Sequence, residues 1–232
     1  MKNVRKIVSM NLIPERVDNL KKIVPSLSLQ SDIFHVNLIG FVDTPSILNN
    51  YNNISVSKFD KVGAEYKFYH YKKYNNNNDF YFTVDDDIYY PENYCKTHIK
   101  YQLNNPNTIT SVHGTTINLN LTEGFHHPPN RKEYYNFRHR LDYVKSVDVP
   151  GTGTLCMRGD ILKFDLTEFK HKNMDDHFIG AFAKVQKIPI ICIPRSNNWL
   201  KPLNEGGVSI WGNNPHHEID KLIYNILKVN IQ

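Results

Sequence analysis

Three consecutive carboxylates, Asp85, Asp86 and Asp87, follow directly on the aromatic run Asp79-Phe-Tyr-Phe-Thr-Val84. Such a run is strongly β-prone and predicts a buried strand over Asp79–Val84. On an extended chain alternate side chains share a side, which places Asp85 and Asp87 together. Two carboxylates so placed repel unless a cation lies between them. Hard oxygen ligands suit a divalent ion, magnesium or manganese, which keeps positions open for substrate phosphates. The competing reading is a solvated acidic turn that caps a helix beginning near Pro91.

Four further clusters carry potential chemistry. Ser9-Met-Asn-Leu-Ile-Pro-Glu-Arg16 leaves a first strand and runs into a helix start opened by Pro14, where anions are attracted. Arg16 is placed there to reach a phosphate or to pair with a neighbouring carboxylate. Asp60-Lys-Val-Gly-Ala-Glu-Tyr-Lys67 offers a carboxylate, a glycine and a lysine for a nucleobase and a phosphate. Asn173-Met-Asp175-Asp176-His177 stands at a helix start, as a general base or as an N-cap. In Pro150-Gly151-Thr152-Gly153-Thr154, the glycines let a ligand, or a tight bend, approach the backbone. The sequence lacks a phosphate loop, an HExxH pair, zinc spacing and a GxSxG elbow.

These clusters need a frame that brings strand ends together. Lys6–Met10, Ile33–Ile39, Ile54–Phe59, Thr108–Val112, Val147–Met157 and Ile188–Pro194 read as further strands. Helices are expected from Pro14 with Val17, Leu20, Ile23, Val24 and Leu27 inward, and over Ala64–Tyr71. Others follow after Pro91 with Tyr94, Ile99 and Leu103 on one side, and over Asp175–Gln186 with Phe178, Ala181, Phe182 and Val185 inward. A last one covers Glu218–Val229. Asn75–Asn78 reads as a polar loop. Periodicity is lost from Ile117 to about Lys145, a segment holding Arg131, Arg138 and Arg140. Alternating strands and helices predict one α/β domain with a mostly parallel central sheet and helices on both faces. In such sheets, ligands bind beyond the carboxyl ends of the strands.

The 232 residues suffice for a single core without metal or disulfide staples. No run is long and apolar enough to span a bilayer, and the start lacks a signal-peptide pattern, so a cytoplasmic protein is expected. Cys95, Cys156 and Cys192 read as reduced core thiols. Net charge is +5, with scattered basic residues and clustered acidic ones. That distribution argues against a nucleic-acid partner and favours an anionic small ligand or membrane face.

The ordered motifs resemble a known family: Pro14-Glu-Arg16, Gly63 to Lys67, Val84-Asp-Asp-Asp-Ile-Tyr-Tyr-Pro91, His113-Gly114, Gly151-Thr-Gly153, Asn173-Met-Asp-Asp176 and Ile188-Pro-Ile to Arg195. From about residue 6 to 200 the chain resembles small GT-A-fold glycosyltransferases, family-2-like, of bacterial surface-polysaccharide loci and some large viruses. The resemblance implies one Rossmann-like GT-A domain over 1–232, with residues 1–115 as the nucleotide-sugar half and 116–232 as the acceptor half. It implies a nucleotide-sugar donor, a UDP-sugar first, and a manganese or magnesium ion on a DxD motif. Asp87 is the expected metal ligand with Asp85, and Asp85 or Asp86 faces the ribose or sugar. Pro14, Arg16, Asp60, Lys67 and Gly151-Thr152-Gly153 line the nucleotide-sugar pocket. Asp176, or else Asp175, is the expected base of an inverting transfer to a hydroxyl of a glycan or lipid-linked saccharide. Where the family carries Glu-Asp, this chain has Asp-Asp. Arg195, Trp199 and Trp211 are expected on the acceptor side or a lid, with peripheral association at a membrane's inner face. A sugar nucleotidyltransferase and a retaining transferase are the alternatives. The first usually needs a glycine-rich loop after the first strand, and Asn11 to Arg16 has no glycine.

Overall fold

The computed structural model describes residues 4–117 and 131–203. Four parallel strands form the first half of the main sheet: β1 (Arg5–Leu12), β2 (Ile33–Ile39), β3 (Ile54–Phe59) and β4 (Asp79–Val84), in the order β3-β2-β1-β4. The first strand is longer than the apolar run Lys6–Met10, because pairing on both sides satisfies its ends. Beyond β4, a two-residue strand β5 (Ile88–Tyr89) precedes β6 (Ile109–Ser111), β7 (Gly114–Ile117), β8 (Arg131–Tyr135), β9 (Lys145–Val147), β10 (Val149–Pro150) and β11 (Thr154–Arg158). The last strands are β12 (Ile190–Cys192) and β13 (Lys201–Pro202).

The main sheet continues β4-β11-β6-β12-β9. β11 runs antiparallel to both β4 and β6, with Thr154 opposite Val84 and Arg158 opposite Phe80. Its start therefore lies beside the carboxyl ends of its neighbours, which carries Gly151-Thr152-Gly153 to the binding edge. The expected strand over Val147–Met157 is three pieces. Pro150 and the glycines break it, and β10 pairs instead with β7 in a separate sheet, β10-β7-β8.

Alternation along the strands divides the core between two faces. Val8, Met10, Phe34, Val36, Leu38, Phe80 and Phe82 meet α1 (Leu20–Gln30) and α2 (Tyr94–Asn104) on one side. Tyr81, Leu155 and Met157 meet α3 (Asp175–Val185) on the other. Leu20, Ile23, Val24 and Leu27 of α1 are fully buried, each worth about 1.5–3 kcal/mol of transfer free energy. Val17, Leu103 and Val185, expected inward, are exposed. Val17 falls in a 3-10 helix, Pro14–Asn19, whose three-residue turn shifts the apolar stripe. On α2 the sheet-facing positions hold Tyr94, His98 and Gln102, with His98 and Gln102 bonded to Thr110 and Gln102 also to the Cys156 carbonyl.

The helix expected over Ala64–Tyr71 is instead two 3-10 turns, Ala64–Phe68 and Tyr71–Lys73. Side chains from the sheet hold the first. The Asn11 amide donates to the Gly63 and Ala64 carbonyls, and the Asn37 amide to that of Tyr66. The three cysteines are buried free thiols. Among the described residues no helix is long and apolar enough to cross a membrane. The helix expected over Glu218–Val229 lies outside the described residues.

Candidate active site

The acidic triplet lies at the carboxyl end of β4, but in a tight turn rather than an extended chain. The alternation expected for its side chains therefore does not apply. Asp85 turns toward Lys67, whose Nζ lies 2.7 Å from Oδ1. Asp86 and Asp87 both turn toward Arg16, whose Nη1 lies 2.6 Å from Asp86 and 3.1 Å from Asp87. The Ile13 N–H also donates to Asp86, and the Asn19 amide donates to the Asp86 carbonyl. Asp86 is thus a buried tie between the exits of β1 and β4. Arg16 reaches this turn from a six-residue 3-10 helix, so the anion-attracting α-helix start expected at Pro14 does not form. α1 begins only at Leu20.

Neither acidic cluster serves as a helix cap. α2 starts from Asn93 and α3 from Met174, and neither receives a side-chain cap. Asp175 and Asp176 instead point from the first turn of α3 to Thr152. The Thr152 hydroxyl lies 2.5 Å from Asp175 Oδ2 and 2.6 Å from Asp176 Oδ1, and its N–H donates to the same Asp176 oxygen. Lys67 closes the cluster, 3.2 Å from Asp175 and 3.3 Å from the Thr152 hydroxyl. One ammonium thereby joins the carboxylate after β4 to the pair on α3.

The backbone is fixed around this cluster. The buried Tyr90 hydroxyl accepts from the Asp85 N–H and donates to the Gly153 carbonyl. Thr83 donates to the Thr152 carbonyl. A side chain at Gly153 would overlap the Asp85 carboxylate where it stands, so a larger residue there would displace that carboxylate. Leu203 donates to the Asp87 carbonyl, and β13 pairs with β5, bringing residues 201–203 against the acidic turn.

Burial, and secondarily the Asp85 charge, raise Asp87 to about 6. Asp176 rises to about 7, through burial first and the neighbouring Asp175 second. Burial alone would lower Lys67, but Asp175 and Asp85 hold it above the ordinary lysine range.

The donor set suits a hard divalent cation. The Asp85 and Asp87 side chains are 38% and 34% exposed, and each keeps one oxygen without a hydrogen-bond partner among the described residues. Among the described residues no group of three His, Cys, Asp or Glu side chains is placed to hold an ion. The described protein can supply two carboxylates, leaving other positions to water and phosphate oxygens.

Several expected residues stand elsewhere. Asp60 is exposed at the end of β3 and shares no hydrogen bond or ion pair with the cluster. Trp199 packs on Tyr94 and donates to Asn93, which ties it to the start of α2. Arg195 is buried, donating to the Ile193 and Asn136 carbonyls. Arg140 pairs with Asp142. Trp211 and the Arg131 side chain lie outside the described residues. Tyr90, Asn11 and Asn37, which position the cluster, carried no local sequence signal.

No family model matches the chain, and no curated protein matches it. Solved structures do. S. aureus TarS 1–349 in complex with UDP-GlcNAc matches 98% of this chain, with a TM-score of 0.63 at 12% identity. The same segment in complex with UDP matches 84%, with a TM-score of 0.55 at 13% identity. The chain has the GT-A-type fold. It spans 66% and 59% of those two chains. At such identities the likeness is one of fold.

Proposed function

We propose that the protein is a nucleotide-sugar-dependent glycosyltransferase that moves a sugar to a hydroxyl of a glycan or lipid-linked saccharide. The observation that carries this reading is the cluster at the carboxyl edge of the sheet. There Asp85 and Asp87 stand open, with cationic Arg16 and Lys67 behind them and the Asp175–Asp176 pair beyond. TarS, which shares the fold, was solved with UDP-GlcNAc and with UDP, which supports a UDP-sugar as donor.

In this reading Asp85 and Asp87 hold a manganese or magnesium ion, which when bound neutralises charge on the diphosphate leaving group. Arg16 and Lys67 add fixed positive charge to the same region. The loop Gly151-Thr152-Gly153 lets the donor approach the backbone beside Asp85. Asp176 takes the proton from the acceptor hydroxyl, as the inverting course requires. Its raised pKa suits that role near neutrality. The chain's contribution is mainly positioning and fixed charge. We place the reaction in surface-polysaccharide or related glycan synthesis, in the cytoplasm at a membrane's inner face.

The test is Asp87→Asn in the purified protein. Manganese-dependent release of nucleoside diphosphate from the donor should disappear while the far-ultraviolet spectrum is unchanged. Full turnover in a folded variant would remove Asp87 from the metal site.

A further inference from the structure

Thr152 presents one hydroxyl to two carboxylates. Its Oγ1 lies 2.5 Å from Asp175 Oδ2 and 2.6 Å from Asp176 Oδ1. A hydroxyl carries one proton and can donate to one acceptor. The Lys67 ammonium, 3.3 Å away, can only donate to it. The Thr152 proton therefore serves one carboxylate, and the contact with the other is a hydrogen bond only if that group brings a proton of its own. Without one, two oxygen lone pairs would face each other at 2.5–2.6 Å in a site where Thr152 is 1% and Asp175 6% exposed.

We propose that Asp175, Thr152 and Asp176 form one proton-sharing unit, in which the Thr152 hydroxyl links the two carboxyls and a single resting proton is held between them. This rests on the glycosyltransferase reading for its use, though not for its existence. Lys67, 3.2 Å from Asp175 Oδ2, favours the anion on Asp175 and leaves the proton on Asp176. Glu65, on the same 3-10 turn as Lys67, faces Asp175 and opposes that bias, while Lys172 faces Glu65. Asp85 shares the Lys67 charge. The raised pKa of Asp176 agrees with the assignment.

The unit gives the base a way to become ready without exchanging with water. The Thr152 hydroxyl passes its proton to Asp175 Oδ2 as it accepts the one from Asp176 Oδ1. Asp176 is then anionic and Asp175 neutral, with no net change of charge. When Asp176 takes the acceptor's proton, both carboxyls are protonated, and one proton must leave to water before the next turn. Thr152 is in this sense a positioning residue that acts through Asp176.

The experiment titrates the ligand-free protein with 13C-labelled aspartate carboxyls, assigned through Asp175→Asn and Asp176→Asn. One protonated and one ionised carboxyl near pH 6, moving in two coupled steps, is the expected result. Both carboxyls ionised near pH 5.5 would overturn the proposal. In turnover, Thr152→Val keeps the backbone N–H bond to Asp176 but removes the relay, so Asp176 must lose its resting proton to water before it can act. The acid limb of the kcat profile should then move up by about one pH unit, and Thr152→Ser should restore it. A loss of rate in Thr152→Val with an unmoved acid limb would reduce Thr152 to a packing role. The titration uses no donor, so absence of any nucleotide-sugar turnover would count against the enzyme reading and leave the shared proton standing or falling by itself.

Discussion

The ammonium of Lys67 lies 2.7 Å from Oδ1 of Asp85, across 18 positions of sequence. That contact ties the carboxylate at the end of β4 to a 3-10 turn held on the sheet by Asn11 and Asn37. The same Nζ reaches Asp175 on α3. A single buried cation thus fixes the relative placement of the two acidic clusters.

Lys67→Met should therefore cost both stability and function. Its removal leaves Asp175, with a side chain 8% exposed, without its cationic partner. Stranding one member of a buried pair costs about 3–5 kcal/mol. The denaturant midpoint of Lys67→Met should fall accordingly. The double variant Lys67→Met, Asp175→Leu should recover a large part of the loss, because the buried carboxylate is then gone and the one left unpaired, Asp85, is 38% exposed to water. Equal midpoints for wild type and the single variant would mean that Lys67 does not neutralise the cluster.

Asp176→Asn should separate catalysis from stability. Loss of a general base lowers turnover by about 10²–10⁴-fold, with donor affinity changed far less. The stability effect has the opposite sign. The folded-state pKa of Asp176, about 7, lies above the unfolded value of about 3.9. The native state then binds the proton more tightly, and stability from this group is present below pH ~4 and lost as pH rises toward 7. Asparagine removes that loss, so the variant should gain thermal stability relative to wild type near pH 8 and gain less near pH 5. A variant less stable than wild type at both values would contradict the raised pKa.

Legibility in the sequence followed locality. The bounds of β2, β3 and β4 could be read because β-branched and aromatic residues fill them and polar turns end them. The exit of β4 therefore pointed to Asp85–Asp87. What could not be read depends on partners far along the chain. Arg16 meets Asp86 across 70 positions and Thr152 meets Asp176 across 24. The antiparallel course of β11 has no periodic signature, yet it alone brings Gly153 to Asp85. The turn over residues 64–68 failed as a helix because its shape is set by the Asn11 and Asn37 amides, which lie on other strands.

The His35–His70 pair predicts an acid-side weakness. Their rings stack with centroids 3.8 Å apart, and His35 bonds the Tyr74 hydroxyl while His70 bonds Ser57. Burial, then the His70 and Lys73 charges, lower His35 to about 3; burial and Lys73 lower His70 to about 4. Both lie below the unfolded value of about 6.5, so unfolding takes up protons as pH falls. Stability from these groups is complete above pH ~6.5 and declines toward pH 4, by up to about 1.4 kcal/mol per pH unit for each histidine. His70→Phe keeps a ring on His35 and should reduce that slope by half. An unchanged slope between pH 6.5 and 4.5 in urea titrations would show that the pair titrates normally.

The central claim is that the carboxyl edge of this sheet binds a nucleotide-sugar for glycosyl transfer. The most direct measurement is a panel of nucleotide-sugars offered with manganese, read as thermal shift and as slow release of nucleoside diphosphate. A UDP-sugar should raise the melting temperature and be hydrolysed slowly to UDP, with both effects weakened in Asp85→Asn. No shift from any nucleotide-sugar, or release of pyrophosphate from a nucleoside triphosphate instead, would contradict it.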